Sequence, residues 1–100
     1  MNLYLKVHRD QKGRIVAACD IGLIGKILQD NKAYMDLDKH RDFFMGEEVD
    51  EKRLEEELDE FASVNLVGEH SVGVALRIKL VGKKDVMYIN SIPYIQIYRI

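Results

Sequence analysis

The chain has 100 residues, of which 47% are hydrophobic and 32% are charged, and its formal net charge at pH 7 is −2. This apolar content excludes an intrinsically disordered chain, and the length predicts one globular domain over residues 1–100 rather than two domains. The near-neutral total argues against a protein whose main task is to neutralise many phosphates.

The N-terminal residues predict a β-hairpin followed by a helical turn. Apolar and polar residues alternate over residues 3–8, and residues 14–19 return as a second strand after a turn at Gly13. An alternation of period two is typical of a strand with one buried face, and glycine allows the positive φ of a tight turn. Asp20 then stands where it can cap a helical turn over residues 21–28.

The middle of the chain predicts a short strand and a longer helix. Residues 33–37 fit the strand. Asp50 fits an N-cap, with Val49 and Leu54 in the positions of a hydrophobic staple. The apolar stripe that follows predicts a helix from residue 51 to about residue 62.

Residues 72–81 fit both a strand and a helix. Apolar residues alternate there and several are β-branched, which favours a strand. The same residues also place an apolar stripe on one face of a helix, with Ser63 or Asn65 available as the cap and Gly82 at the C-terminal end. The pattern alone leaves both interpretations open.

The last part of the chain predicts a second hairpin. Residues 86–89 and 92–98 fit paired strands joined by Asn90 and Ser91, because asparagine suits a tight turn with positive φ. Pro93 has no amide donor, so we expect the last strand at an edge of the sheet. Together the elements predict an α+β fold with a mixed or mainly antiparallel sheet of about five strands packed against two main helices.

Several short strings resemble one protein family in their order and spacing. They are KVHR (6–9), VAACD (16–20), LIGK (23–26), FFMGEEV (43–49), NLVGE (65–69) and IPYIQ (92–96). Over nearly the whole chain they resemble the archaeal domain-of-unknown-function 424 family. The resemblance implies a compact α+β domain with no assigned activity, and it favours a helix over residues 68–79. The chain departs from the family pattern at Tyr94, where a histidine usually follows the proline, and at Asn90 and Ser91, where a glycine pair usually stands.

The string NLVGE has a structural and a functional interpretation. In the structural one, Asn65 caps a helix, Gly68 permits the close approach of another backbone, and the helix dipole favours Glu69 in the first turn. In the functional one, Gly68 leaves room for a ligand or partner while Asn65 and Glu69 present a donor, an acceptor and a charge. A hydrolase or transferase that uses Asn65 and Glu69 is the weakest hypothesis.

The sequence has no complete motif for catalysis, metal binding or a cofactor. Residues 19–26 include two glycines without the spacing of a phosphate loop, although Lys26 can still direct its charge toward an anion. His8, His40 and His70 are far apart and belong to no metal-binding pattern. We therefore expect no catalytic residue, no metal and no cofactor.

Cysteine content and hydropathy predict the cellular compartment. Cys19 is the single cysteine, so it cannot form an intrachain disulfide, and its apolar surroundings predict a small buried residue. No apolar run approaches the roughly twenty residues that span a bilayer, and Met1 is followed directly by the first predicted strand. We expect a cytoplasmic protein that does not bind membranes.

The last predicted strand places aromatic residues beside basic ones. Tyr94, Gln96 and Tyr98 share one face of it, and Arg99 is on the other face. Lys83, Lys84 and Arg99 are the basic residues in the neighbouring sequence. Aromatic and basic side chains together can stack bases and hold phosphates. The same strip can instead pair with an edge strand of a second copy.

Charge is distributed unevenly along the chain. The net charge is +3 over residues 1–41, −9 over residues 42–69 and +4 over residues 70–100. If the positive charges gather on one face, together with the hairpin side chains Lys6 and His8, a polyanion can bind there. We therefore predict a non-enzymatic binding module for RNA or a translation component, with no DNA expected. The alternative is a homodimeric or protein-interaction scaffold that uses the C-terminal edge strand.

Overall fold

The computed structural model describes residues 2–99, which contain eight strands and three α-helices. The strands are β1 Leu3–Asp10, β2 Gly13–Asp20, β3 Ile27–Gln29, β4 Tyr34–Asp36, β5 Glu47–Val49, β6 Ser63–Val67, β7 Met87–Ile89 and β8 Ile92–Tyr98. The helices are α1 Arg41–Phe44, α2 Glu51–Glu57 and α3 Glu69–Arg77, and 3₁₀ turns cover Ile21–Leu23 and Lys83–Asp85.

The main sheet has six strands in the order β5-β1-β2-β6-β8-β7, and β3 and β4 form a separate two-stranded sheet. Only β2 and β6 are parallel among these neighbouring pairs; the others are antiparallel. The prediction of an α+β fold with a mixed sheet on two main helices is therefore confirmed. Three strands were not predicted. Strands β3 and β5 have three residues each, too few to show a period, and residues of β6 were considered as a helix cap instead.

One face of the main sheet packs against α2 and α3 and forms the larger hydrophobic core. Its fully buried sheet residues include Leu3 on β1, Val16 on β2 and Leu66 on β6, and the helices add Leu54 and Val72. The alternation predicted for residues 3–8 places Leu3 on this face. The glutamates of α2 lie on the outer side of that helix, away from the sheet. The sheet therefore separates the acidic segment from the other sheet face.

A cover segment, residues 21–46, lies on part of the opposite face of the sheet. It contains β3, β4 and α1, and it forms a second, smaller core with the sheet. The buried residues of this core are Ala17, Cys19, Leu28, Leu37, Phe44, Val67 and Ile89. No helix or strand of residues 2–99 covers the rest of this sheet face.

Two predicted helical boundaries were wrong. The helical turn expected over residues 21–28 is a 3₁₀ turn at Ile21–Leu23 followed by strand β3, and the Asp20 side chain does not cap it. Gly25, at a φ of +88°, interrupts the segment. Helix α2 has the predicted cap, since Asp50 accepts a hydrogen bond from the amide of Arg53 at 2.9 Å. It ends at Glu57 rather than near residue 62, because the chain must then turn to enter β6.

Residues 68–79 are mainly helical, as the resemblance implied, and a distant side chain caps α3. The expected cap Asn65 lies inside strand β6. Instead, the Asp20 carboxylate at the end of β2 accepts hydrogen bonds from the amides of His70 at 3.0 Å and Ser71 at 2.9 Å, and from the Ser71 hydroxyl at 2.9 Å. The close approach that Gly68 permits is therefore to this carboxylate and not to another backbone.

The C-terminal hairpin is confirmed, but the last strand is not at an edge. Asn90 and Ser91 have φ values of +49° and +68° and form the turn. Strand β8 lies between β6 and β7. Pro93 fits inside the sheet because of two hydrogen bonds. Its carbonyl accepts from the amide of Gly68 at 2.8 Å. The Gly68 carbonyl, which would otherwise need a donor from residue 93, accepts from the amide of Val72 at 2.9 Å. The missing proline donor therefore leaves no acceptor without a partner.

Candidate functional site

All the candidate residues except Lys26 and Glu69 project from one face of the main sheet, the face opposite α2 and α3. Directly paired residues on neighbouring strands project to the same side. One row across the sheet contains Lys6, Ala17, Asn65 and Gln96. The rows beside it contain His8, Ile15, Ser63 and Tyr98, and Tyr4, Cys19, Val67 and Tyr94. The register thus gathers residues from three distant parts of the chain.

Lys6 and His8 fasten the cover segment to the sheet. Lys6 Nζ donates to the carbonyl oxygen of Asp42 at 2.7 Å. His8 Nε2 lies 2.9 Å from the carbonyl oxygen of Phe43, and the two rings are stacked with their centroids 4.9 Å apart. These contacts give both residues a structural role in the fold, and their proposed part in ligand binding stays a prediction.

The uncovered part of this sheet face, the open sheet face, is formed by Ile15, Ser63, Asn65, Gln96 and Tyr98. Tyr98 is 69% exposed there. A depression of about 650 Å³ is lined by Ile15, Ser63 and Tyr98 and by the side chains at the end of the sheet, Asp10, Lys12, Ala62 and Arg99. An exposed aromatic ring therefore lies in a depression that has Lys12 in its wall. Arg99 also lines this depression, but its guanidinium lies over the Phe61 ring, 4.2 Å from the ring centroid, and Phe61 belongs to the core on the other face of the sheet.

Only some of the basic side chains from the two ends of the chain lie near one another. Lys12 in the first hairpin turn and Arg99 after β8 both line the Tyr98 depression. Arg9 lines a neighbouring depression together with Glu60. Ion pairs occupy other arginines of the described residues, namely Arg14 with Glu57, Arg41 with Asp38, Arg53 with Glu47, and Arg77 with Glu51 and Glu55. The basic cluster is thus small and local.

A small cavity lies where the cover segment meets the open sheet face. Its volume is about 170 Å³, and the predicted residues Asn65, Tyr94 and Gln96 line it together with His40 and Phe44. Tyr94 is half-buried and contacts the second core, whereas Gln96 is exposed. The structure therefore places the amides of two sequence-distant residues at the mouth of one cavity.

Lys26 and Glu69 lie together, away from the open sheet face. Both line a shallow depression of about 570 Å³ with Asp20 and His70. Glu69 is exposed in the first turn of α3, where its carboxylate complements the helix dipole. Two carboxylates beside one lysine make this depression a poor place for an anion.

Cys19 is fully buried in β2, as the sequence predicts. Burial, and secondarily the charge of Asp20, raise the pKa of its thiol from 9.0 to about 12. The thiol therefore stays protonated across the physiological range and lacks the nucleophilic thiolate form.

We expect Cys19 to resist alkylation in the folded protein. With iodoacetamide at pH 8 to 9, the native protein should gain no mass over a period in which the urea-unfolded chain is fully modified, because the raised pKa suppresses the thiolate. Intact-mass spectrometry measures this. Rapid modification of the folded chain would contradict the assigned burial.

Sequence patterns missed several residues of this region. Lys12, His40 and Ile15 belong to no motif, and they approach the predicted residues only through strand register and the placement of the cover segment. The position of Lys12 in a hairpin turn was a usable signal, because such a turn lies at the end of the sheet.

The described residues show no further chemical centre. No three His, Cys, Asp or Glu side chains of residues 2–99 gather as a metal site would require. No helix in that range is both long and apolar enough to cross a bilayer.

Comparison with known proteins places the chain in a family. The family model described as protein of unknown function (DUF424) matches residues 7–100. The chain belongs to the DUF424 family. This DUF424 protein is also similar to a solved structure described as the crystal structure of an uncharacterized conserved protein from Methanopyrus kandleri. The TM-score is 0.79, and the match covers 98% of this chain and 91% of that chain. At 20% identity the likeness shows a shared fold. A comparison with curated proteins gives no match.

Proposed function

We propose that this protein is a non-enzymatic module that binds single-stranded RNA across the open sheet face. The observation that carries the proposal is Tyr98, which is 69% exposed in a depression with Lys12 in its lining. Sheet surfaces with exposed aromatic rings and flanking cations bind single strands by stacking bases and holding phosphates.

The distribution of charge supports this surface over others. Asp10 is the one carboxylate lining the Tyr98 depression, and its Oδ1 accepts hydrogen bonds from the amides of Lys12 and Gly13 in the turn. The acidic helix α2 packs on the other face of the sheet through Leu54. A polyanion on the open sheet face is therefore separated from most of the negative charge of the chain.

The polar groups on the open sheet face favour RNA over DNA. Asn65 and Gln96 offer amide groups near Tyr98, whereas Ser63 between them and the end of the sheet is only 8% exposed. The ribose 2′-hydroxyl is both a donor and an acceptor, and DNA lacks it. We therefore expect tighter binding of an RNA than of a DNA with the matching sequence.

Replacing Tyr98 by alanine tests the proposal. Loss of one stacking platform should weaken binding of a fluorescein-labelled mixed-sequence RNA of ten nucleotides by roughly 5- to 100-fold. Fluorescence anisotropy measures the affinity. Tyr88→Ala is the matched control, because Tyr88 is 62% exposed but pairs with Pro93 and so projects from the other face of the sheet. Equal effects of the two variants would refute the proposed surface.

Salt dependence of the same binding tests the role of the cations. A plot of the logarithm of the association constant against the logarithm of salt concentration should have a negative slope. Its magnitude should be about 0.7 for each phosphate contact on a single strand. Lys12→Gln should lower the magnitude of this slope by about that amount, and Arg99→Gln should lower it less, because the Arg99 guanidinium already lies over the Phe61 ring. A slope that stays unchanged in Lys12→Gln would remove Lys12 from the site.

A homodimer is a second candidate, because part of β8 has an open side. Strand β7 pairs only with Ile92, Pro93 and Tyr94 of β8. Since hydrogen-bonding direction alternates along a strand, the amide groups of Gln96 and Tyr98 face away from β6, toward a side that has no partner among the described strands. Light scattering after size-exclusion chromatography would detect a dimer, and Tyr98→Asp should dissociate it.

A further inference from the structure

The cavity beside the open sheet face has the size and lining of a pocket for one planar ring. Its volume of about 170 Å³ lies below the roughly 300–1,000 Å³ of pockets that hold drug-sized ligands. Its apolar walls are Met35, Leu37, Phe44 and Val67. A cavity of this kind admits a single ring system and leaves an attached sugar and phosphate outside.

Two side-chain amides stand at this cavity without partners in the protein. Asn65 and Gln96 are direct cross-strand partners on β6 and β8, which places their Cβ atoms about 4.5–5.5 Å apart. Neither side chain forms a hydrogen bond with another of the residues 2–99, and no buried side-chain polar atom there is unsatisfied, so the amide groups are accessible to a ligand. The His40 side chain at the same cavity is likewise unbonded among these residues.

These groups match a nucleobase better than an anion. A primary amide presents a donor beside an acceptor, which is the arrangement along the hydrogen-bonding edge of a base. Asp36 is also a lining residue of the cavity, and its carboxylate accepts hydrogen bonds from the amides of Asp38 and Lys39. These bonds, led by that of Lys39, lower its pKa, so it stays ionised at neutral pH. A negative charge beside the cavity disfavours a phosphate or carboxylate and tolerates a neutral ring.

The cavity is continuous with the Tyr98 surface. Gln96 and Tyr98 are two residues apart on the same side of β8, so their Cα atoms are separated by about 6.6 Å along the strand. Lys12 lies beyond Tyr98 in the same direction. A base in the cavity, a base on Tyr98 and a phosphate at Lys12 therefore fit neighbouring nucleotides of one strand.

We infer that the cavity receives one unpaired nucleobase of the bound RNA, and that Asn65 and Gln96 read its hydrogen-bonding edge. This inference rests on the proposed function and adds base selectivity to it. The Phe44 ring and the neighbouring aliphatic side chains enclose the base, while Tyr98 stacks the adjacent base without selecting it.

Base preference in a fixed RNA tests the inference. Four labelled octamers of uridine, with A, C, G or U at the fifth position, are titrated against the wild-type protein by fluorescence anisotropy. One base should be preferred by roughly tenfold, the discrimination typical of a bidentate amide contact. Asn65→Leu and Gln96→Leu should each remove most of this preference and leave the affinity for the least favoured octamer within about threefold, since the stacking and phosphate contacts remain.

Gln29→Leu is the matched control, because Gln29 is an exposed strand glutamine outside the cavity lining. It should keep the wild-type base preference. Side-chain amide signals of Asn65 and Gln96 in ¹⁵N-correlated spectra should shift on addition of the preferred octamer, and the same spectra show that each variant is folded.

The outcomes separate this inference from the proposed function. If the octamers bind in a Tyr98-dependent way but the cavity variants keep the wild-type preference, or no preference exists, the base pocket is overturned and the RNA surface stands. If no octamer binds the wild-type protein at low salt, both are overturned.

Discussion

Replacing Gly68 by alanine is expected to lower the free energy of unfolding by about 3–5 kcal/mol, from backbone strain and loss of a helix cap together. Gly68 has a φ of +108° and a ψ of 162°, a region that is essentially restricted to glycine. A Cβ atom there would lie 2.2 Å from Cγ of Asp20. The carboxylate would have to move, and α3 would lose the hydrogen bonds to His70 and Ser71.

Gly73→Ala is the control for this prediction, because Gly73 lies in the same helix and an added Cβ there meets nothing within 4 Å. That change should stabilise the protein by about 0.5–1 kcal/mol, the usual gain from replacing glycine inside a helix. Thermal unfolding followed by circular dichroism measures both, and Gly68→Ala should lower the Tm by at least about 12 °C. A small effect of Gly68→Ala would mean that Asp20 does not cap α3.

Replacing Phe44 by alanine is expected to cost about 3–5 kcal/mol of stability, the range for removing a buried aromatic side chain. Phe44 is 6% exposed and belongs to the second core, between the cover segment and the sheet. The larger core against α2 and α3 does not include it. The loss should therefore loosen the cover segment more than the sheet.

Hydrogen exchange distinguishes the two regions. The amide of Leu37, which donates to the carbonyl of Lys26 at 2.8 Å, should exchange much faster in Phe44→Ala, and the amides of β6 should be affected less. The control Met45→Ala changes a neighbouring side chain that is 41% exposed, and its effect should stay within about 0.5 kcal/mol. Equal acceleration of exchange in both regions would show that the cover segment and the sheet unfold as one unit.

The sequence predicted the parts of the fold that depend on local chemistry. Both hairpins, the Asp50 cap and the α+β class follow from period two, turn residues and capping preferences, each of which involves residues close in the chain. The family resemblance, and not the residue pattern, favoured a helix over a strand for the residues that follow Gly68. The length of α2 and the conformation of residues 21–28 were mispredicted, because packing of the chain into β6 and the cover segment decides them.

The arrangement of the site depended on long-range register. The sequence placed Gln96 and Tyr98 on one face of the last strand, but the alignment of Asn65 with them follows from β6 pairing with β8. Local sequence carries no record of which strands become neighbours, so Asn65 was assigned to a cap and Pro93 to an edge. The same limit hid the placement of Lys12 in the depression beside Tyr98.

The cap on α3 also has a consequence for the order of folding. Asp20 and Ser71 are separated by 51 positions, so the helix obtains its terminal acceptor only after a large loop has closed. A nine-residue helix is marginal by itself in water. Assembly of the parallel strands and growth of this helix are therefore coupled in one cooperative step, and a peptide that contains only the helix should remain largely a random coil.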